Sequence, residues 1–67
     1  MKPVSGKRIA SILEQNGWTL KRIKGSHHIY SHKQKGIITV PIHSKKDLKR
    51  GTQKSIMKQA DISEDML

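Results

Sequence analysis

WTLKRIKGSHHIYSHKQKGIITVPI, residues 18–42, decides the fold of this 67-residue chain, because it contains three segments with β-strand character. Each segment has alternating or β-branched apolar residues, and the segments are predicted at about 18–24, 27–32 and 37–42. Short turns at 25–26 and 33–36 separate them, which favours antiparallel pairing. Pro41 cannot donate a backbone hydrogen bond, so the third strand is predicted to lie at an edge or to end there.

One amphipathic helix is predicted before these strands and one after them. The first is predicted at about 6–16, where Ser5 can cap the N-terminus and apolar residues recur at the i, i+3 and i+4 spacing of one buried face. The second begins at residue 51 or 52 and continues to about 60. Two helices on one face of a three-stranded antiparallel sheet form a two-layer α+β domain in the order α-β-β-β-α. That order matches the double-stranded RNA-binding domain.

The composition limits the class of protein. At 67 residues the chain is expected to form one domain, 1–67, near the lower size limit at which a hydrophobic core alone stabilises a fold. It contains no cysteine, which excludes disulfides and thiolate zinc sites. No apolar run approaches the ~20 residues that cross a membrane, and the first ten residues lack a secretory apolar segment. We therefore expect a soluble, cytoplasmic protein without a membrane partner.

The charge is strongly positive and unevenly distributed. The formal net charge is +9. All 14 Lys and Arg residues lie within residues 1–60, where Glu14 and Asp47 are the only acidic residues, and the remaining acidic residues follow at 61, 64 and 65. Such a chain attracts polyanions, which favours nucleic acid over an anionic membrane or a merely solubilising surface. An acidic protein partner is also compatible with this charge.

Two adjacent histidines, His27 and His28, follow the Gly25-Ser26 turn. Alternate side chains of a strand point to opposite faces, so the pair is not expected to act as one unit. If Ile29 belongs to the core, His27 faces the helices at the open end of the strand. One interpretation is structural, with a half-buried imidazole beside a solvated one. The other is chemical, with one imidazole transferring protons near neutral pH.

RNA is a substrate that suits a single catalytic histidine, because its own 2′-hydroxyl lies next to the scissile phosphate. An enzyme needs to remove that proton, align the reacting groups and stabilise charge on the phosphoryl oxygens. Basic residues near the histidines, at positions 21, 22 and 24, would attract phosphate. A paired-carboxylate magnesium site and a serine or cysteine hydrolase triad have no candidate residues, so we expect neither a metal nor another cofactor.

These motifs together resemble the HicA toxin family of small mRNA-cleaving proteins (mRNA interferases). The resemblance covers almost the whole chain and rests on NGW, KGSHHIY, VPIH, and LKRGTQKSIMKQA followed by ISEDM. It implies a fold like the double-stranded RNA-binding domain, ribonuclease activity on mRNA without a metal, and a HicB-like antitoxin as inhibitor. The catalytic residue of the family is the histidine directly after Gly-Ser, which corresponds to His27 as general base or acid.

Further residues are candidates for binding RNA through their charge or position. They are Lys24, Ser26, His28, His43, Lys45, Lys46, Lys49 and Arg50. His43 could position phosphate or only hydrogen-bond within its loop, and the run at 45–50 could bind phosphate beside a helix N-terminus or simply be solvated. Trp18 is expected in the core, whereas Tyr30 could be a core residue or a stacking platform for bases.

Two other functions are compatible with this sequence. The first is a module that binds structured RNA through shape and phosphate contacts and leaves it intact. The second is an adaptor that serves only an acidic protein, which predicts negligible RNA affinity at low salt. Charge and fold do not distinguish these functions from the ribonuclease.

Overall fold

The computed structural model describes residues 1–67 and contains two α-helices, three strands and a short final 3₁₀ turn. They are α1 (Gly6–Gln15), β1 (Thr19–Lys24), β2 (His27–His32), β3 (Gly36–Pro41), α2 (Arg50–Ala60) and the 3₁₀ turn Glu64–Met66. The strands form one antiparallel sheet in the order β1-β2-β3. The predicted two-layer α+β fold, with the order α-β-β-β-α, is therefore confirmed. Pro41 is the last residue of the edge strand β3, as predicted.

Local signals explain where the helices begin and end. The Ser5 hydroxyl accepts a hydrogen bond from the Arg8 backbone amide at 3.0 Å, which caps α1. Gly17 follows the end of this helix with a φ of +89°, a left-handed conformation that glycine adopts without steric cost. Helix α2 begins at Arg50, slightly earlier than predicted, and its N-cap residue Lys49 makes no side-chain capping hydrogen bond.

The core lies between the helices and one face of the sheet. It contains 14 buried apolar residues, contributed by both helices, the sheet and the connecting segments. Trp18 belongs to it, as predicted, and so does Tyr30. The sheet contributes Tyr30 from β2 and Ile38 and Val40 from β3, which share one face because Tyr30 pairs with Ile38 and His28 with Val40. Neither α-helix combines the length and the apolar content needed to cross a bilayer.

Close contacts fix the end of β3 beside the start of β2 and of α1. Gly6 is buried against Pro41, and a methyl group at Gly6 would overlap the Pro41 carbonyl oxygen. The Ile42 backbone amide donates a hydrogen bond of 2.7 Å to the carbonyl oxygen of Ser26, in the turn between β1 and β2. The open end of the sheet, where β2 begins, is consequently well defined.

Strand β1 contains a β-bulge at Lys21. Leu20 pairs with Tyr30 and Arg22 pairs with Ile29, so Lys21 has no partner on β2. An extra residue of this kind changes which side chains after it face each side of the sheet. In β1 it places Ile23 opposite His28 and Lys24 opposite His27.

Candidate active site

His27 is the first residue of β2 and lies at the open end of the sheet, as predicted. Its neighbours in the sheet are Lys24 on β1 and Pro41 on β3. Gly25 makes the preceding two-residue turn possible with a φ of +60°. The side chain of His27 is exposed, so its imidazole is accessible to a large substrate.

His27 does not face the helices, whereas it was expected to face them if Ile29 belonged to the core. Tyr30 is the buried residue of β2, with 1% of its surface exposed, whereas Ile29 is only half-buried. The helix-facing side of β2 therefore carries His28, Tyr30 and His32. His27 and Ile29 lie on the opposite side of the sheet, which is called the open face (or open side) below. The placement of His27 on the helix-facing side is wrong because the large tyrosine ring, and not isoleucine, fills the space beneath the helices.

Tyr30 is held in the core by a polar contact with α1. Its hydroxyl donates a hydrogen bond to a Glu14 carboxylate oxygen at 2.7 Å. Burial raises the pKa of the Tyr30 phenol well above its usual range, and the hydrogen bond and negative charge of Glu14 raise it further. Tyr30 is thus a neutral, structural hydrogen-bond donor with no exposed ring face on which a base could stack.

His28 lies on the helix-facing side, opposite Val40 and Ile23, and is half-buried. The structure therefore separates the two adjacent histidines onto opposite faces, in agreement with the prediction that they do not form one unit. His32 shares the face of His28 but lies at the other end of β2, where its ring is 5.1 Å from the Trp18 ring. The indole nitrogen of Trp18 is buried without a hydrogen-bond partner.

A cleft adjoins the end of β3, beside the sheet neighbour of His27. Pro41, the sheet neighbour of His27, forms part of its wall. The other lining residues are His43, Lys46, Asp47, Leu48, Lys49 and Thr52. Three of the predicted RNA-binding residues, His43, Lys46 and Lys49, are thereby brought together around one depression. Thr52 and Asp47 were not among the predicted site residues, because their positions depend on how the loop packs.

Backbone contacts shape this basic loop. The Lys46 amide donates to the His43 carbonyl oxygen at 3.0 Å, which closes a turn that includes Ser44 and the exposed Lys45. The Leu48 amide donates to the Val4 carbonyl oxygen at 2.9 Å, and this anchors the far end of the loop beside α1. The first turn of α2, with its free backbone amides, follows directly and adds positive potential near the cleft.

Arg50 is not part of this group. It lines separate depressions beside Met1, Lys54 and Lys58, on the side of α2 that carries the N-terminal residues and Glu64. Ser26 lies in the turn before His27, and its backbone carbonyl oxygen is occupied by the Ile42 amide. The predicted residues are therefore distributed between the sheet end, the adjoining cleft and a distinct surface of α2.

Carboxylates are nearly absent from this end of the molecule. Asp47 lines the cleft, whereas Glu14 is engaged with Tyr30 and Asp61 pairs with Lys35 at 3.2 Å. No three His, Asp or Glu side chains lie close enough together to hold a metal ion. The site thus consists of one exposed imidazole beside Lys24, with a basic cleft on the far side of Pro41.

Comparison with known proteins places the chain in a family. No curated protein matches it in sequence. The model of a family described as the HicA toxin of bacterial toxin-antitoxin systems matches residues 6–62, which include both α-helices and all three strands. This match covers most of the chain and includes the segment that contains His27. The chain therefore belongs to the HicA toxin family.

Proposed function

We propose that this toxin is an endoribonuclease that cleaves mRNA by transesterification, with His27 as the general base or acid. The observation that carries the proposal is the placement of His27. It is an exposed imidazole on the open face of the sheet, beside Lys24 and next to a basic cleft. Imidazole is the side chain best suited to exchange protons near neutral pH.

The reaction needs only groups that RNA and this site supply. As general base, His27 takes the proton of a ribose 2′-hydroxyl, and the 2′-oxygen forms a bond to the adjacent phosphorus. The bond from phosphorus to the 5′-oxygen breaks, and that oxygen leaves with a proton from the imidazolium or from water. The products are a 2′,3′-cyclic phosphate and a 5′-hydroxyl. Proton transfer of this kind contributes about 10²–10⁴-fold to the rate.

Basic side chains around His27 would hold the RNA phosphates and stabilise the developing negative charge. Lys24 is its neighbour on β1, and His43, Lys46 and Lys49 surround the cleft beyond Pro41. Contacts between RNA and Ser26, Lys45 or Arg50 remain predictions from the sequence. The same is true of a contact between RNA and His28, which lies on the other face of the sheet. The reaction as written uses no metal and no other cofactor.

A HicB-like antitoxin would inhibit this activity by covering the same surface. An acidic patch on that protein would complement Lys24 and the cleft lysines, and its bulk would block access to His27. Since the site is open and cationic, RNA and an acidic protein compete for it.

The test is cleavage of RNA by the purified chain in EDTA, without antitoxin. We expect the wild-type chain to cut RNA and the His27→Ala variant to lose about 10²–10⁴-fold in rate. His28→Ala is the matched control, since it removes the neighbouring imidazole from the opposite face. We expect it to cleave far faster than His27→Ala, because loss of an RNA contact weakens binding but leaves the proton transfer in place. Cleavage that persists in His27→Ala, with both variants folded by circular dichroism, would exclude His27 from the mechanism.

A non-catalytic RNA-binding module is the second candidate. The cleft of His43, Lys46 and Lys49 supports it, because these side chains can grip phosphate whether or not His27 transfers a proton. RNA that stays intact under conditions in which the chain binds it would favour this module over the ribonuclease.

A further inference from the structure

The bulge at Lys21 determines which basic residues of β1 share a face with His27. We propose that it creates a phosphate-binding site on the open face of the sheet, formed by Arg22 together with Lys24, for the RNA strand that passes His27. This inference rests on the proposed function in one respect, namely that RNA is cleaved at His27. Its ligand is the phosphodiester backbone and not a base.

The register shows how the bulge acts. Leu20 pairs with Tyr30 on the helix-facing side, and plain alternation from Leu20 would put residues 22 and 24 on that side as well. With Lys21 as an extra residue, Arg22 pairs instead with Ile29 and Lys24 with His27, both on the open side. Bulges next to active sites commonly re-aim side chains in this manner.

The same register gives the spacing of the groups. Directly opposed residues such as Lys24 and His27 have Cβ atoms about 4.5–5.5 Å apart. Arg22 is diagonal to His27, at about 7–8 Å, a separation that a long side chain spans easily. A guanidinium presents paired N–H donors that match two phosphate oxygens, so Arg22 can hold a phosphate next to the one under attack.

Charge and exposure leave these two side chains free for a ligand. Every residue of β1 is exposed, and neither Arg22 nor Lys24 takes part in a salt bridge. The two ion pairs of the chain join Lys35 to Asp61 and the N-terminal ammonium to Glu64. Because no carboxylate neutralises the open face, its positive charge is available to the RNA backbone.

The experiment is binding of single-stranded RNA that carries 2′-O-methyl groups and cannot be cleaved, measured by fluorescence anisotropy over a range of salt concentrations. Loss of one phosphate contact reduces the magnitude of the slope of log K against log salt by about 0.7. If the variant and the wild type bind equally at 1 M salt, the variant then binds about fivefold more weakly at 0.1 M. We expect this change for Arg22→Gln. Arg22→Lys, which keeps the charge, should restore most of the slope.

Lys33→Gln is the matched control, with the same loss of one positive charge. Lys33 is exposed and follows the far end of β2, about 20 Å along the strand from His27. We expect it to keep the wild-type slope. An unchanged slope for Arg22→Gln, or an equal loss for Lys33→Gln, would overturn the site in favour of a diffuse attraction by net charge.

Parallel cleavage assays with unmodified RNA separate this inference from the proposed function. If the wild-type chain leaves RNA intact while Arg22→Gln still lowers the salt slope, the ribonuclease proposal fails and the phosphate site stands. If the chain cleaves RNA and Arg22→Gln changes neither the slope nor KM, the site fails and the ribonuclease stands.

Discussion

The two faces of the three-stranded sheet differ in burial and charge, although their residues alternate along the same strands. The helix-facing side carries Tyr30, Ile38 and Val40 and closes the core. The open side carries His27 and Lys24, which are exposed and have no carboxylate beside them. Part of one face is thus buried in the core, whereas the other face leaves charged side chains exposed to solvent.

The adjacent histidines illustrate this division. His28 lies among residues that the helices partly cover, whereas His27, one position earlier, lies in solvent. A substitution on the helix-facing side should therefore change stability, and one on the open side should change RNA binding or cleavage. Two neighbouring residues in the same strand can accordingly have separable effects.

The largest effect on stability is expected from Ile38→Ala. Ile38 is 4% exposed, so truncation removes buried methyl groups and leaves a cavity, at a cost of about 2–5 kcal/mol in the free energy of unfolding. Ile37→Ala is the same change one residue earlier on the open face, where the side chain is 55% exposed, and we expect at most about 1 kcal/mol. Denaturant unfolding of the two variants measures the difference.

Equal destabilisation by the two isoleucine variants would contradict the division between the faces. A domain of this size has only a few kcal/mol of stability, so a loss at the upper end of this range leaves Ile38→Ala largely unfolded, whereas we expect Ile37→Ala to remain folded.

A smaller effect is expected from Tyr30→Phe, which removes the hydrogen bond to Glu14 and leaves the ring in place. We expect a loss of about 1 kcal/mol near pH 8. The raised pKa of Tyr30 means that its contribution is fully present below the ordinary tyrosine pKa of about 10 and is lost as pH rises through the folded-state pKa. The stability difference between the wild type and the variant should therefore shrink at high pH.

The chain contains one tyrosine, so its ionisation can be followed directly by ultraviolet absorbance. Tyrosinate that forms near the ordinary pKa while the chain is still folded, or a stability difference that does not change with pH, would disprove the buried hydrogen bond.

The elements of the fold were predictable from the sequence, because helical and strand periodicities are local. The observed strands agree with the predicted ones to within a residue at each end, and β2 agrees fully. The place of His27 at the start of β2 was also predictable, since the Gly-Ser turn and the strand that follows are both local features. Lys46 and Lys49 were predicted from their charge and His43 from its place after the third strand, and the structure brings the three together around one cleft.

The sequence did not predict which side of β2 is buried or that β1 contains a bulge. Ile29 and Tyr30 both have large apolar side chains, and as adjacent strand residues they point to opposite faces of the sheet. The hydrogen-bond partner that favours Tyr30 in the core is Glu14, sixteen positions away. No Gly or Pro marks the bulge at Lys21. The separation of Arg50 from the cleft likewise depends on contacts between distant segments, such as the one between Leu48 and Val4.

The most direct test of the account is the chemistry of the ends that the purified chain leaves on a defined RNA in EDTA. Attack by the 2′-hydroxyl, with His27 as base, predicts a 2′,3′-cyclic phosphate on one fragment and a 5′-hydroxyl on the other. Fragments with a 3′-hydroxyl and a 5′-phosphate would contradict it, because those ends require water, and not the neighbouring ribose, as the nucleophile.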